Sequence, residues 1–447
     1  MLLRTLLFLV FCLIIHISFA QDAPVVSDKA YLAFERGDYV TAKTYYEAAL
    51  NKENTLEVKE KLGQCYVRLG KPDEAIQLYR EILANTSNTY TTARLYTLLG
   101  EAHLNKNDNS TALESLEKAE VLYTSKNKNT LGLAVCYNTT GLVHWNNSNP
   151  NEALAYLQRG LDLRKQLTKE QSKEVAASYN DLGLVHSSLG ETEKALDYYQ
   201  AALEIYEKVY ISRHPKIAVA YGNVGVELSK QQDYQRAITQ LNKSLRIWKA
   251  IYPQKHPSQA FVITNIAQCY AGLKEYGEAL LEMKEALTIY QQSSVANNPE
   301  IANVHNLIGD IYSKTGEYAL ALEQFQAALQ ANAVVFQEVD YTRNPASNDY
   351  YKGNVLLNSL LLKAQTLEDQ YFVKSLKLND LKLAFQTLQV ADTLANKLRQ
   401  TTANKEDKLA LAAITSELYQ DGVRVALALA GNSFQRTFYQ TQAFYFA

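Results

Sequence analysis

Thr140-Gly141-Leu142-Val143-His144, Leu182-Gly183-Leu184-Val185-His186 and Val224-Gly225-Val226-Glu227-Leu228 are one phrase written three times, 42 residues apart. Looser copies flank them. Leu62-Gly63 with Tyr66 and Leu99-Gly100 with His103 come before, Ile266-Ala267 with Tyr270 and Ile308-Gly309 with Tyr312 after. Twelve residues beyond each small residue stands an alanine: Ala75, Ala112, Ala153, Ala195, Ala237, Ala279 and Ala321. Seven further on, Ala119, Gly160, Ala202, Ser244, Ala286 and Ala328 are small again, with Ile82 the exception. A degenerate first copy runs through Ala30, Gly37, Tyr39, Ala42, Tyr46 and Ala49.

Small residues at these intervals suit pairs of antiparallel helices that cross closely, with aromatic rings filling the gaps between neighbouring pairs. Arg36-Gly37-Asp38, Leu69-Gly70-Lys71, Leu189-Gly190-Glu191 and Thr315-Gly316-Glu317 mark the turns inside the pairs, where glycine closes a helix in the left-handed conformation. One such pair cannot bury its own apolar face, so the copies must stack.

This pattern resembles the tetratricopeptide repeat (TPR). The resemblance implies an all-α fold, a TPR solenoid built as a right-handed superhelix of antiparallel helix pairs. About eight repeats fill residues 21–335, with divergent helical pairs in 336–447. The period of 42 holds through residues 134–330, longer than the common period of about 34. The additional length predicts longer helices and a loop that carries Arg213-His214-Pro215, Lys255-His256-Pro257 and Asn297-Asn298-Pro299. Each proline stands where proline is favoured, at the first position of the next helix. The long form is similar to the repeats of kinesin light chains and of many bacterial regulatory proteins.

Composition narrows the function. The 447 residues exceed one ordinary core, which an elongated array explains. Lys and Arg total 45 against 47 Asp and Glu, so no basic excess exists to neutralise a phosphate backbone, and nucleic acid is not an expected partner. Tyrosine is in excess, with 31 copies against 13 phenylalanines, and seventeen of them occupy five repeat slots. Residues 1–20 form a different material. Arg4 precedes an apolar run from Leu6 to Ile15, and Ser18-Phe19-Ala20 places small residues where a signal peptidase cuts. The expectation is a cleaved signal peptide and an exported, periplasmic or secreted chain, the rival being an uncleaved anchor. No later segment is long and apolar enough to span a membrane.

Beyond the leader, Cys65, Cys136 and Cys269 are odd in number and scattered, so they read as small buried hydrophobes rather than a disulfide framework. His103, His144 and His186 recur at one slot. Neighbouring copies would lie about 8–10 Å apart, too far to share a metal. Tyr66, Tyr270 and Tyr312 hold the same slot, so the histidines are expected to pack as aromatics, and His214 and His256 to serve helix starts. There is no phosphate-cradling loop, metal-spaced cluster or nucleophile elbow. No catalytic residue, metal site or cofactor is therefore expected.

The TPR resemblance implies a protein or peptide partner held on the concave face, which the first helices line. The slots one, four and five residues past the marker glycine give Leu142, Trp145 and Asn146, then Leu184, Ser187 and Ser188, then Val226, Ser229 and Lys230, with Gln268 and Asp310 in later copies. They form an expected apolar groove centred on Trp145, with the alternative that they pack against their own neighbours.

After a loop at Asp340-Tyr341-Thr342-Arg343-Asn344-Pro345, helical patterning returns from Val355 as a lengthened pair of helices. Ala391-Asp392, Leu398-Arg399, Lys408-Leu409-Ala410-Leu411, Glu417-Leu418-Tyr419 and Ala443-Phe444-Tyr445-Phe446-Ala447 follow. This series resembles the stretch joining a TPR array to the caspase-like CHAT domain in secreted proteins of Bacteroidetes. No catalytic residue of that domain has a counterpart here. The aromatic crowding from Phe434 to Phe446 is odd for a solenoid end, which needs a polar cap, and leads to the expectation of an array cut off before a further domain. Three uses are open: a binding scaffold, the regulatory arm of a CHAT effector, or the sensor region of a signalling kinase.

Overall fold

The computed structural model describes residues 26–125, 130–293, 298–401 and 405–447. The expected leader at residues 1–20 and Asn297 lie outside them. Every regular element among the described residues is helical. Eight antiparallel pairs run in order: Val26–Glu35 with Tyr39–Glu53, Leu56–Arg68 with Pro72–Ala84, Thr89–Asn105 with Asn109–Thr124, and Leu131–Asn146 with Pro150–Leu167. Lys173–Ser188 with Thr192–Val209, Pro215–Lys230 with Tyr234–Ile251, Pro257–Gly272 with Tyr276–Ser293, and Pro299–Lys314 with Tyr318–Asn332 complete them. The longer period is spent on helix: 16 and 18 residues in the pair Leu131–Leu167, against 13 and 13 in Leu56–Ala84.

The pairs cross where the small residues stand. A Cβ on Gly63 would lie 2.3 Å from Cε1 of Tyr79, whose ring is fully buried on the second helix. Each turn inside a pair has the same backbone. Gly37, Gly70, Gly190 and Gly316 take positive φ, and so do Asn107, Ser148, Gln232 and Lys274 at the equivalent place, all between 54° and 79°. Asp38, Asp108 and Asp233 then cap the second helices, accepting from the amides of Thr41, Thr111 and Arg236 at 3.1, 3.3 and 3.3 Å. Pro215, Pro257 and Pro299 open first helices as expected. None of the seventeen repeat-slot tyrosines is exposed. They carry the packing between helices, where a ring buries area and its hydroxyl stays within reach of a partner.

Two compact units make up the chain. The first comprises the described residues through Asn146 together with Asn151–Leu182 and Glu207–Pro215. Its first helix pair is fastened to its last residues. Lys173 Nζ lies 2.6 Å from Glu35 Oε2, and His214 Nε2 donates to the Glu35 carbonyl at 3.1 Å. Tyr210 stacks on His214 with ring centroids 3.7 Å apart. Arg164 is buried in the same unit, and its Nη1 donates to Asn138 Oδ1, Ser178 Oγ and the Glu174 carbonyl at 3.2, 2.6 and 3.1 Å. A buried guanidinium is tolerable only with that many acceptors.

The second unit comprises Asn147–Pro150, Gly183–Tyr206 and Lys216–Ala447. Beyond Asn332 it carries the helices Gly353–Asp369, Leu378–Thr401, Lys405–Asn432 and Arg436–Phe446, with a π-helical turn at Gln370–Ser375. The first and second are the lengthened pair the sequence implies. The intervening loop, 333–352, is firmly held. Asp349 accepts from the amides of Val334, Val335 and Phe336 at 2.8, 2.9 and 2.8 Å. Lys363, fully buried, donates to Gln326 Oε1, the Arg343 carbonyl and Asn344 Oδ1 at 2.9, 2.8 and 2.8 Å. Of the terminal aromatics, Tyr439 and Phe446 pack on Phe385, while Phe434, Phe438, Phe444 and Tyr445 are exposed. No helix among the described residues is long and apolar enough to cross a membrane.

Candidate functional site

In the second unit the first helices Pro215–Lys230, Pro257–Gly272 and Pro299–Lys314 repeat every 42 residues, so one face of each presents matched positions. Val219, Phe261 and Asn303 share one position; Gly222, Thr264 and Asn306 a second; Asn223, Asn265 and Leu307 a third. These residues line two adjoining pockets of about 490 and 440 Å³. The larger continues to Gln268, Asp310 and the helix Gly353–Asp369 through Asn358 and Leu362. The smaller reaches Trp248 on a second helix. Phe261, Tyr290 and Glu300 belong to both. Phe261 is 52% exposed, an unusual position for a ring inside a concavity.

Local rules place the polar groups. Asn298 caps the helix at Pro299, its Oδ1 accepting from the Glu300 amide at 2.8 Å, so the Glu300 carboxylate sits in a first turn where the helix dipole favours it. Glu300 pairs with Lys352 at 3.4 Å and Asp310 with Lys314 at 2.6 Å, both at the surface. Burial pushes the Tyr290 phenol up to about 12, so it serves as a neutral wall. Asn306 Nδ2 donates to Ser359 Oγ at 2.9 Å.

The residues chosen from sequence fall partly on this site. Gln268 and Asp310 line the larger pocket. In the first unit, Leu142 and Trp145 are half-buried and exposed Asn146 donates to Asn109 Oδ1 at 2.9 Å. In the second, Leu184 and Val226 are half-buried, and Ser187 and Lys230 meet around a carboxylate that sequence reasoning passed over. Glu227, 1% exposed, accepts from Ser187 Oγ at 2.5 Å and Lys230 Nζ at 2.8 Å. Ser229 accepts from Cys269 Sγ at 3.4 Å. The slots missed were those before the marker glycine, above all Phe261 and Asn306. The recurrence of Asn223 and Asn265 at one slot and of Asn138, Asn180 and Asn306 at another was the available signal.

The recurrent histidines behave as aromatics with an added task. His144 stacks on Tyr156 and His186 on Tyr198, with centroids 5.4 and 5.3 Å apart. Nδ1 of His103 and of His186 also meets a carboxylate in the turn, Asp108 at 3.1 Å and Glu191 at 2.6 Å. His256 caps its helix, accepting from the Ser258 amide at 3.2 Å. Cys65, Cys136 and Cys269 are buried free thiols, the first two pushed up to about 12 by burial.

A family model described as tetratricopeptide repeat matches residues 52–125, 174–250 and 258–332, and a second of the same description matches 138–209. The chain belongs to the tetratricopeptide repeat family. Solved structures share the TPR fold at low identity. The Cut9–Hcn1 complex of the APC/C is 18% identical with a TM-score of 0.54, over 69% of this chain and 53% of that one. A Rap protein complexed with Competence and Sporulation Factor is 15% identical with a TM-score of 0.52, over 87% and 97%. A signal transduction ATPase with a TPR sensor from Pyrococcus horikoshii is 16% identical with a TM-score of 0.52, over 70% and 47%. The TPR chain thus spans about half the length of the first and third of these. No curated protein sequence matches it. In TPR terms, the two pockets lie on the first helices of the last three repeats, and the helix Gly353–Asp369 closes the far side of the larger one.

Proposed function

We propose that this TPR chain is a protein-interaction scaffold that holds an extended peptide against the first-helix face of residues 218–362. Phe261 carries the reading: a half-exposed ring forms the shared wall of two pockets, each large enough for a side chain. Such a ring supplies contact area to a partner at small entropic cost. Asn223, Asn265, Asn303 and Asn358 surround it with amides, each able to donate and accept. Amides can follow a peptide backbone without dictating its sequence. The Rap and Cut9 structures, both solved with a bound partner, support an interaction role for the fold. The test is retention of capped nonapeptides from a degenerate library by the full chain. Binding that falls about tenfold in Phe261→Ala, at unchanged thermal midpoint, supports the proposal. A chain that retains no peptide overturns it.

Within each unit taken by itself, the residues chosen from sequence are proposed as peptide contacts: Leu142, Trp145 and Asn146 in the first, and Leu184, Ser187, Val226, Ser229 and Lys230 in the second. Trp145→Ala in the same assay tests them. Export is proposed from the apolar run Leu6–Ile15 and Ser18-Phe19-Ala20, and cell fractionation of the native protein decides it. A regulatory role beside a caspase-like CHAT domain is a second reading, favoured by the exposed Phe434, Phe438, Phe444 and Tyr445. The nucleotide sequence past codon 447 tests that reading.

A further inference from the structure

The last two helices of the second unit carry a knob and a hole on one surface. Val423, Leu427 and Gly431 follow one stripe of the helix Lys405–Asn432, and Phe434 stands fully exposed in the bend that ends it. Toward the other end of the stripe, a concavity of about 530 Å³ is walled by Tyr419, Val423, Leu427 and Phe446. Arg424 lies in the same wall. Glu368 Oε2 and Asp421 Oδ1 fix its guanidinium, each at 2.7 Å, so its planar face can take an aromatic ring. Phe434 does not fill this hole in its own chain. From Val423 to Phe434 the stripe runs about 17 Å at helical rise.

Between knob and hole the stripe is bare. A Cβ on Gly431 would meet nothing within 4 Å, so no packing inside the chain requires a glycine there, and its lack of a side chain lets a second backbone approach. The next helix, Arg436–Phe446, is apolar on both sides: Tyr439, Ala443 and Phe446 are buried, while Phe438, Phe444 and Tyr445 are exposed. A helix apolar all round is one that is covered all round. With Phe434 included, the exposed rings leave about 600 Å² open, at about 200 Å² for a whole aromatic side chain. That is most of the ~800 Å² each partner gives to a stable interface, and Leu427 and the walls of the concavity add to it. From Val425 to Ala447 the only charged side chain is Arg436, so little on this surface repels a copy of itself.

We propose that this surface pairs with a second copy of the chain, about a two-fold axis between Leu427 and Gly431. Antiparallel apposition of the two Lys405–Asn432 helices carries Phe434 of each copy into the concavity of the other, against Arg424. It also sets Leu427 across from the bare Gly431. Every contact is made twice, as an isologous interface requires. A further domain covering the same rings needs no such match of knob to hole.

The test is the mass of the full chain by sedimentation equilibrium at about 100 μM, above the micromolar upper end of Kd for interfaces of this size. Wild-type protein should be a dimer. Phe434→Lys, which brings a cation against Arg424, and Leu427→Glu should each weaken dimerisation by about tenfold or more. Both side chains are exposed, so the helical circular dichroism spectrum should not change. An equimolar mixture of the two variants should dimerise again. One half of the mixed dimer keeps the native knob in its native hole, and the other sets the new lysine beside the new glutamate. A monomeric wild type overturns the inference and leaves the face to another occupant. Variants that keep the wild-type mass, or a mixture that stays monomeric, overturn it as well.

Discussion

His214 donates from Nε2 to the main-chain carbonyl of Glu35, 3.1 Å away and 179 residues earlier in the chain. The same glutamate holds Lys173 through its carboxylate, and a Cβ on Gly37 would come within 2.5 Å of Pro215. The first helix pair is thus clasped by residues of the later repeats in its own unit. Replacing His214 with alanine removes the hydrogen bond and the stacking on Tyr210, at a cost of about 1–2 kcal/mol. A urea unfolding curve should show the lower midpoint. Limited proteolysis should cut first within residues 26–53, and cleavage elsewhere first would refute the clasp.

Gly63 and Gly70 stand seven residues apart and should respond in opposite ways to substitution. At Gly63 an alanine methyl collides with the buried Tyr79 ring, so Gly63→Ala should destabilise by about 1–3 kcal/mol. At Gly70 the space is open and only the left-handed backbone matters, with φ +70°, so Gly70→Asn should cost no more than about 1 kcal/mol. Thermal melts of the two variants, compared with wild type, check the ordering.

Lys363 anchors the loop 333–352 from beneath. Lys363→Met leaves the oxygens of Gln326, Arg343 and Asn344 without their donor, a loss of about 3 kcal/mol or more. Burial pushes the amine down to about 7 from its ordinary 10.5, with Asp340 pulling weakly the other way. Between those two values the unfolded chain binds the proton that the folded chain has lost, so stability should rise with pH across that window and level off below it. The slope cannot exceed about 1.4 kcal/mol per pH unit. A neutral amine has two N–H groups for three oxygens, so the measured slope should be smaller. Urea midpoints at pH 7 and pH 9 should differ in wild type and lose this component of the difference in Lys363→Met.

Filling the smaller pocket should act on binding alone. A Cβ on Gly222 meets nothing closer than Ser244 Oγ at 3.5 Å, ordinary contact distance. Gly222→Leu should therefore fold, gain helix propensity of up to about 1 kcal/mol, and block the space beside Trp248. Peptide retention should drop several-fold at equal or higher thermal midpoint. Unchanged retention would place the peptide elsewhere.

Steric demand explains what could be read ahead of the structure. A crossing as tight as Gly63 on Tyr79 admits almost nothing but a small residue, so the demand writes itself into every copy. The turn after each first helix was legible only where glycine marks it. Asn107, Ser148, Gln232 and Lys274 take the same left-handed backbone with side chains that announce nothing. The candidate site was seen from one side. Gln268 and Asp310 were foreseen, but Phe261 and Asn306 lie on the half of the helix before the marker, and the periodic asparagines were the overlooked sign. The clasp of Glu35 by Lys173 and His214 has no periodicity at all. It joins single residues far apart in sequence, and no local pattern encodes such a meeting.

A constant period and a constant turn give the gene a grammar for changing length. Because Gly141, Gly183, Gly225, Ala267 and Gly309 are spaced by the same 42 residues, an excision or duplication of that size anywhere between them rejoins like to like. Helix meets helix in phase, and each left-handed turn is kept. A recombination event whose size is not a multiple of 42 joins these helices out of phase. The pockets, built from successive copies, would be inherited in whole steps: lengthened by one first helix or shortened by one, with Phe261 and Asn306 carried along or lost as complete units.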